Sequence, residues 1–327
     1  MKKEQAQTKT TRAQSAHKNV IPVFFAADDN YVPFLAVTLQ SIKAHISPEN
    51  EYKIYVLHAG VERSSVEKIK VFESEGFSVD FVDVTDRLAV LSGELQLRDY
   101  YSCATYYRIF IAGMFPEYQK AIYLDCDIVV RCDLAVFYAV DLADNYVAAV
   151  PDGAVGAVPE FRTYTKETLG IDAENYFNAG VLLLNLDVLR KEDFYGKFST
   201  ILKQYKFSVA QDQDYLNAIC RGRVRFLDDE WNAMPIGSES KKLQDPKIIH
   251  YNLTMKPWHY DNLIYREYFW ENADKTEYAD FLRGELAAYG EKEKQRDSEC
   301  EVALRALALK ESEREDNYFK RYVKGAK

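Results

Sequence analysis

Glycine and proline are scarce in this 327-residue sequence, at 14 and 9 positions, while 47% of its residues are apolar. That balance excludes collagen-like, low-complexity and disordered chains. Cysteine is scarce as well. Cys103, Cys126, Cys132, Cys220 and Cys300 are odd in number and form no C-x-x-C pair, so reduced thiols that mostly fill the core are expected. No apolar stretch approaches the ~18 residues that a membrane span requires. Residues 1–18 lack the hydrophobic segment of a secretory signal, and the expected location is the cytoplasm. Positive charge is also in deficit: 42 Lys and Arg stand against 51 Asp and Glu, a net charge of −9. This argues against nucleic acid as the main partner. An anionic substrate remains compatible if a metal supplies local positive charge.

What is present is alternation. Residues 1–18 read as a disordered polar tail, 19–290 as one domain, and 291–327 as a charged helical extension whose end mixes basic and aromatic residues. Apolar runs at 20–25, 52–57, 77–84, 120–124, 147–150, 179–186, 224–227 and 248–251 predict strands. Between the first two, Leu35, Leu39, Ile42 and Ile46 are spaced 4, 3 and 4 apart, one helical stripe. Val66, Ile69 and Phe72 mark a second helix, and Tyr106, Tyr107, Ile109 and Phe110 a third. Further helices are expected over 188–205 and 213–220. Strands alternating with helices define an α/β class with βαβ units around a mostly parallel, Rossmann-like central sheet flanked by helices.

In such sheets ligands bind beyond the carboxyl ends of the strands. Asp28 and Asp29 follow the first strand, and Asp125 and Asp127 follow the strand at 120–124. Two close carboxylates in a partly dry site repel each other unless a cation lies between them, which is the physical case for a divalent metal. The D-x-D spacing alone is weak, since Asp212-Gln213-Asp214 also fits it and two surface aspartates in a turn would look the same. Placement at a strand exit decides for Asp125 and Asp127. His250 ends another strand-like run, with Lys256 six residues on. An imidazole beside two carboxylates favours Mn²⁺, with Mg²⁺ as the alternative. Lys256 would then be a fixed positive charge near a phosphate. Asp212 has a plain reading as a helix cap, worth about 1 kcal/mol, yet Gln211-Asp212-Gln213-Asp214 also offers a sugar both donors and acceptors.

Five segments together resemble glycosyltransferase family 8, in family order: Phe25-Ala26-Ala27-Asp28-Asp29-Asn30-Tyr31, Tyr123-Leu124-Asp125-Cys126-Asp127, Tyr176-Phe177-Asn178-Ala179-Gly180-Val181, Gln211-Asp212-Gln213-Asp214 and His250 through Lys256-Pro257-Trp258. The resemblance is to bacterial retaining galactosyl- and glucosyltransferases that build surface glycans such as lipopolysaccharide. It implies a GT-A fold that binds a UDP-hexose as donor and Mn²⁺ as cofactor. Asp125, Asp127 and His250 match the metal ligands. Ala26, Asp28, Asn30 and Tyr31 match the uridine pocket, and Arg108, Cys126, Asn178 and Lys256 match further contacts to the nucleotide sugar. Asp212 and Gln213 match the residues beside the reacting sugar carbon. The implied activity is hexosyl transfer to a glycan, glycolipid or glycoprotein acceptor. Peripheral membrane contact through Phe319, Lys320, Arg321, Tyr322 and Lys324 is the second reading of the C-terminal end, beside a solvated helix. Leu253 departs from the pattern, because family members often carry glycine three residues after the metal histidine, and it predicts a differently shaped loop at 252–255. A sugar-phosphate nucleotidyltransferase normally has a glycine-rich loop after its first strand, which this sequence lacks. A non-catalytic nucleotide-sugar-binding protein is the remaining alternative on the same scaffold.

Overall fold

The computed structural model describes residues 18–91, 103–237 and 239–324. The polar tail expected at 1–18 therefore lies outside the described residues except for Lys18. Nine strands are present among the described residues: β1 (Asn19–Ala26), β2 (Asn50–His58), β3 (Phe77–Asp83), β4 (Lys120–Leu124), β5 (Ile128–Val130), β6 (Val147–Ala149), β7 (Val181–Asn185), β8 (Val224–Phe226) and β9 (Ile248–His250). Seven form the central sheet in the order β3-β2-β1-β4-β7-β6-β8, and β5 pairs with β9 in a small second sheet.

The chain lays β1, β2 and β3 side by side in parallel, then returns to place β4 on the other edge of β1. That reversal is a topological switch point, where the ends of β1 and β4 open a crevice. Beyond β4 the sheet becomes mixed: β7 runs antiparallel to both β4 and β6, and β8 is parallel to β6. Near-continuous apolar runs form these strands because both sheet faces are covered. One core holds Val23, Phe25, Leu35, Leu39 and Ile122. The other holds Phe24, Tyr106, Tyr123, Leu182 and Phe198. Alternate residues of β1, β4 and β7 divide between the two.

Three departures from the sequence expectation have physical causes. The helix expected over 188–205 is two helices, Leu186–Lys191 and Phe194–Gln204, broken at Asp193 (φ 47°), whose side chain caps the second through the Gly196 N–H. The strand ending in His250 leaves the central sheet and pairs antiparallel with β5, a strand the sequence did not predict. The C-terminal helix Glu291–Glu313 is docked, with Ala308 fully buried and Leu304 and Leu307 packed on the core. Its short successor, Phe319–Lys324, lies half-buried against the domain. Phe319 packs over Gly170, Tyr318 lies against Tyr205 and Phe207, and the Tyr322 hydroxyl donates to the Gln204 carbonyl at 3.1 Å. These aromatics are half-buried, and Arg321, 5.2 Å over the Tyr322 ring, and Lys324 are exposed beside them; the packing lends the membrane contact no support. No described helix is long and apolar enough to cross a membrane. The five thiols are unpaired.

Candidate active site

Asp125 is the first residue after β4, and Asp127 the last before β5. The turn between them is pinned by Thr38, whose hydroxyl lies 2.7 Å from the carbonyls of Cys126 and Ile128. Register does the rest: in the β5–β9 pair Ile128 faces His250, which brings the imidazole beside the two carboxylates. His250 Nε2 stands 3.3 Å from Asp127 Oδ1 and 3.8 Å from Asp125 Oδ2. One potential ligand atom from each residue lies within 4.8 Å of the others.

The ring's protonation follows from its neighbours. Gly180 N–H donates to Asn178 Oδ1 at 3.0 Å, which fixes that amide, and Asn178 Nδ2 donates to Asp152 Oδ2 at 3.0 Å. Asn232 Nδ2 donates to Asn178 Oδ1, so Asn232 Oδ1 is the atom 3.1 Å from His250 Nδ1. An amide oxygen only accepts. In the neutral ring Nδ1 therefore carries the proton, and the Nε2 lone pair points at carboxylate oxygens.

Asp127 Oδ1 is buried and receives no hydrogen bond. Its other oxygen pairs with Lys256 Nζ. Burial pushes this carboxyl up, but the Lys256 ammonium beside it, with His250 adding to it only when the ring is protonated, holds it well below the usual carboxylate range. Lone pairs on two oxygens and one nitrogen facing one another, with a buried orphan among them, fit a divalent cation with mixed O and N ligands. Gly180 leaves the room. A Cβ there would lie 2.6 Å from Asp125 Oδ2 and collide with His250.

Arg108, on the 3₁₀ helix Cys103–Phe110, crosses behind this corner. It donates to Asp125 Oδ1 at 3.0 Å, stacks 4.2 Å over the Tyr123 ring, and lies 3.2 Å from Asp212 Oδ2. Asp212 opens the helix Asp212–Cys220 behind Gln211, whose backbone is strained (φ 47°, ψ −118°). Burial raises the Asp212 carboxyl to about 6; Arg108 opposes the shift and Asp125 adds to it. Gln213 accepts from Ala179 N–H at 2.9 Å and donates to Asp152 Oδ2 at 3.0 Å.

At the other end of the crevice, Asp28 accepts from the N–H groups of Asn30 and Tyr31 at 3.0 and 3.2 Å, a turn that presents these residues beyond β1. Burial pushes the Tyr31 phenol far above its ordinary value. Ala26 is tied in through its carbonyl, which accepts from Cys126 Sγ at 3.3 Å. The Cys126 thiol is thus turned into the interior, 3% exposed, and offers a ligand only its backbone.

Asp125, Asp127, His250, Lys256, Arg108 and Asp212 converge through direct contacts. Asn178 joins them through Asn232, which meets His250, and Asp152 ties Gln213 to Asn178; Ala26, Asp28, Asn30, Tyr31 and Cys126 lie at the β1 side of the same crevice. Asp152 and Asn232 are the residues that sequence reasoning missed. Asp152 carried a usable signal, an acidic residue just past a strand and ahead of a helix, which it caps through Ala154 and Val155 N–H. Asn232 carried none. Leu253 adopts φ 52°, the region glycine favours, so the chain accepts a leucine there with roughly 1 kcal/mol of strain.

The mixed sheet with an acidic pair at its switch point is the architecture of GT-A glycosyltransferases, as the match to solved structures shows. The galactosyltransferase LgtC, in complex with donor and acceptor sugar analogues, superposes with a TM-score of 0.70 at 30% identity, covering 81% of this chain and 100% of that one. The bifunctional glycosyltransferase WbbM superposes with a TM-score of 0.72 at 26% identity over 84% of this chain, which spans 53% of WbbM. In sequence, the lipopolysaccharide 1,2-glucosyltransferase of Escherichia coli K12 is 28% identical over 259 residues, 72% of each chain. The chain belongs to glycosyl transferase family 8, whose pattern matches residues 22–262.

Proposed function

We propose that this protein is a retaining hexosyltransferase that moves glucose or galactose from a UDP-sugar to a glycan or glycolipid acceptor. The observation that carries the reading is His250 Nε2 standing 3.3 Å from the orphaned Asp127 Oδ1 and 3.8 Å from Asp125 Oδ2. Asp125, Asp127 and His250 would hold Mn²⁺, which as a Lewis acid on the diphosphate would stabilise the departing UDP by several kcal/mol. Tyr31 stacks on the uracil, with Ala26, Asp28 and Asn30 around the nucleoside. Lys256 contributes a second positive charge where negative charge develops. Arg108 fixes the orientation of Asp125 and Asp212, while Asn178 and Gln213 line the sugar. Asp212, charged, supports the cationic sugar from the face opposite the leaving group. Among the described residues no carboxylate–histidine pair is placed as a general base, so the leaving phosphate oxygen takes the acceptor's proton on the same face. Transfer then proceeds by front-face substitution, glutamine being a poor nucleophile. The donor is presented from the cytoplasmic side in this reading.

A screen of UDP-glucose and UDP-galactose for UDP release tests it. Release should require Mn²⁺ and cease with chelator. Undiminished turnover in chelator would remove the metal site, and binding of a UDP-sugar without any release would identify a non-catalytic nucleotide-sugar binder.

A further inference from the structure

Lys256 reaches Asp127 from a single tight turn. The N–H groups of His259 and Tyr260 both donate to the Lys256 carbonyl, at 3.0 and 2.9 Å. Trp258 fastens one side of that turn by stacking on Phe34, with centroids 4.0 Å apart. The other side is held by the C-terminal helix, which no part of the chemistry above uses. Asp297, in its second turn and 4% exposed, accepts on Oδ2 from the hydroxyls of Tyr260 and Tyr289, each at 2.7 Å. Tyr289 in turn lies flat on His259, with centroids 3.7 Å apart and planes 7° apart. Burial and the Lys256 charge push the His259 ring down to about 4, so the stack is between neutral rings at physiological pH. The same helix packs its far end on the helix Pro159–Tyr164, through a core that contains Phe161, Tyr164 and Ala308. From there the Tyr164 hydroxyl donates to Asp214 Oδ2 at 2.8 Å, two residues from Asp212. One helix thus braces the lysine turn with its first half and the Asp212 turn with its second.

We propose that Asp297 is a positioning residue for the diphosphate site: through Tyr260 and Tyr289 it fixes the turn that carries Lys256, so the C-terminal extension sets the affinity for the pyrophosphoryl group of the donor. This rests on the reading of Lys256 as a phosphate contact. A buried carboxylate shared by two hydroxyls is a strong anchor, and losing it removes the hydrogen bond that each hydroxyl donates to it. The turn then samples other placements of the ammonium while the nucleoside pocket, on another element, is unaffected.

Dissociation constants for UDP and for uridine, in Mn²⁺ with full-length protein, test the assignment in Asp297→Ala, Tyr260→Phe, Lys256→Ala and the Asp297→Ala/Lys256→Ala double variant. Asp297→Ala should weaken UDP about tenfold with uridine unchanged, and should add nothing further in the Lys256→Ala background. Tyr260→Phe keeps the ring and should show the same selectivity if Asp297→Ala fails to fold. Unchanged UDP binding in both folded variants overturns the proposal, as does an equal loss for UDP and uridine, which would mark general loosening. If Lys256→Ala itself leaves UDP binding intact, the phosphate reading of Lys256 is what fails, and Asp297 loses its proposed role with it.

Discussion

Two clusters of polar side chains meet at His250, and they are built on opposite terms. In the amide cluster, formed by Asp152, Asn178, Asn232 and Gln213, donors meet acceptors throughout. Both Asp152 oxygens receive two hydrogen bonds each, and backbone N–H groups of Gly180 and Ala179 fix the orientation of the amides. In the carboxylate corner acceptors face acceptors, and a buried oxygen has no partner. A saturated network is rigid and holds its members in one geometry. An unsaturated one stays costly until something positive enters. The first cluster therefore serves the second: it dictates which imidazole nitrogen looks into the corner.

The sharpest way to break this contrast is at the corner itself. Asp127→Ala should lower the rate of Mn²⁺-dependent UDP release by about 4 kcal/mol of barrier, roughly a thousandfold. Asp29→Ala should keep most of it, because Asp29 only accepts from the Glu62 backbone N–H at the surface. Equal rates for the two variants at saturating metal would dismantle the assignment.

A smaller effect probes the link between the clusters. Asn232→Ala removes the acceptor for His250 Nδ1, frees the ring to adopt the other tautomer, and should weaken Mn²⁺ by about 10–100-fold with little loss of melting temperature. A metal titration that superposes on wild type would show the two clusters to be independent.

The mildest effect is on pH. With Asp212 raised to about 6, and acting in its charged form as proposed, the transfer rate should climb as pH rises through 6, falling about tenfold per unit below it. Asp212→Asn should be slow and lack that limb. Stability moves the other way. A carboxyl raised in the native state favours folding most fully below its unfolded value, near 4, and that contribution is lost as pH climbs through 6. Urea midpoints of wild type against Asp212→Asn across this range measure it.

How much of this was readable from sequence follows the range of the interaction concerned. Strands at 20–25, 52–57 and 120–124 announced themselves because each is apolar on both faces, and Asp125 and Asp127 stood out as acids closing such a run. His250 was legible as a strand end, but its pairing partner was not. Ile128 and His250 are joined across more than a hundred residues by a short strand whose own pattern is too brief to see. The break at Asp193 needed a left-handed torsion that aspartate permits without advertising. Asn232 sits in a 3₁₀ turn among other polar residues, and only the folded chain brings it to the imidazole. The docking of the C-terminal helix was likewise hidden, since its charged composition conceals how few residues it buries and how completely.

The inward turn of Cys126 has a metrological consequence. Its sulfur ties the exit of β4 to the last residue of β1, so the separation between the pocket beyond β1 and the acid corner is a fixed length, set by adjacent strands of one sheet. If the donor seats as proposed, the chain would act as a calliper. A donor whose base and anomeric carbon were spaced by one phosphate more or fewer than two would seat one end and miss the other, and selectivity for chain length would need no residue devoted to it.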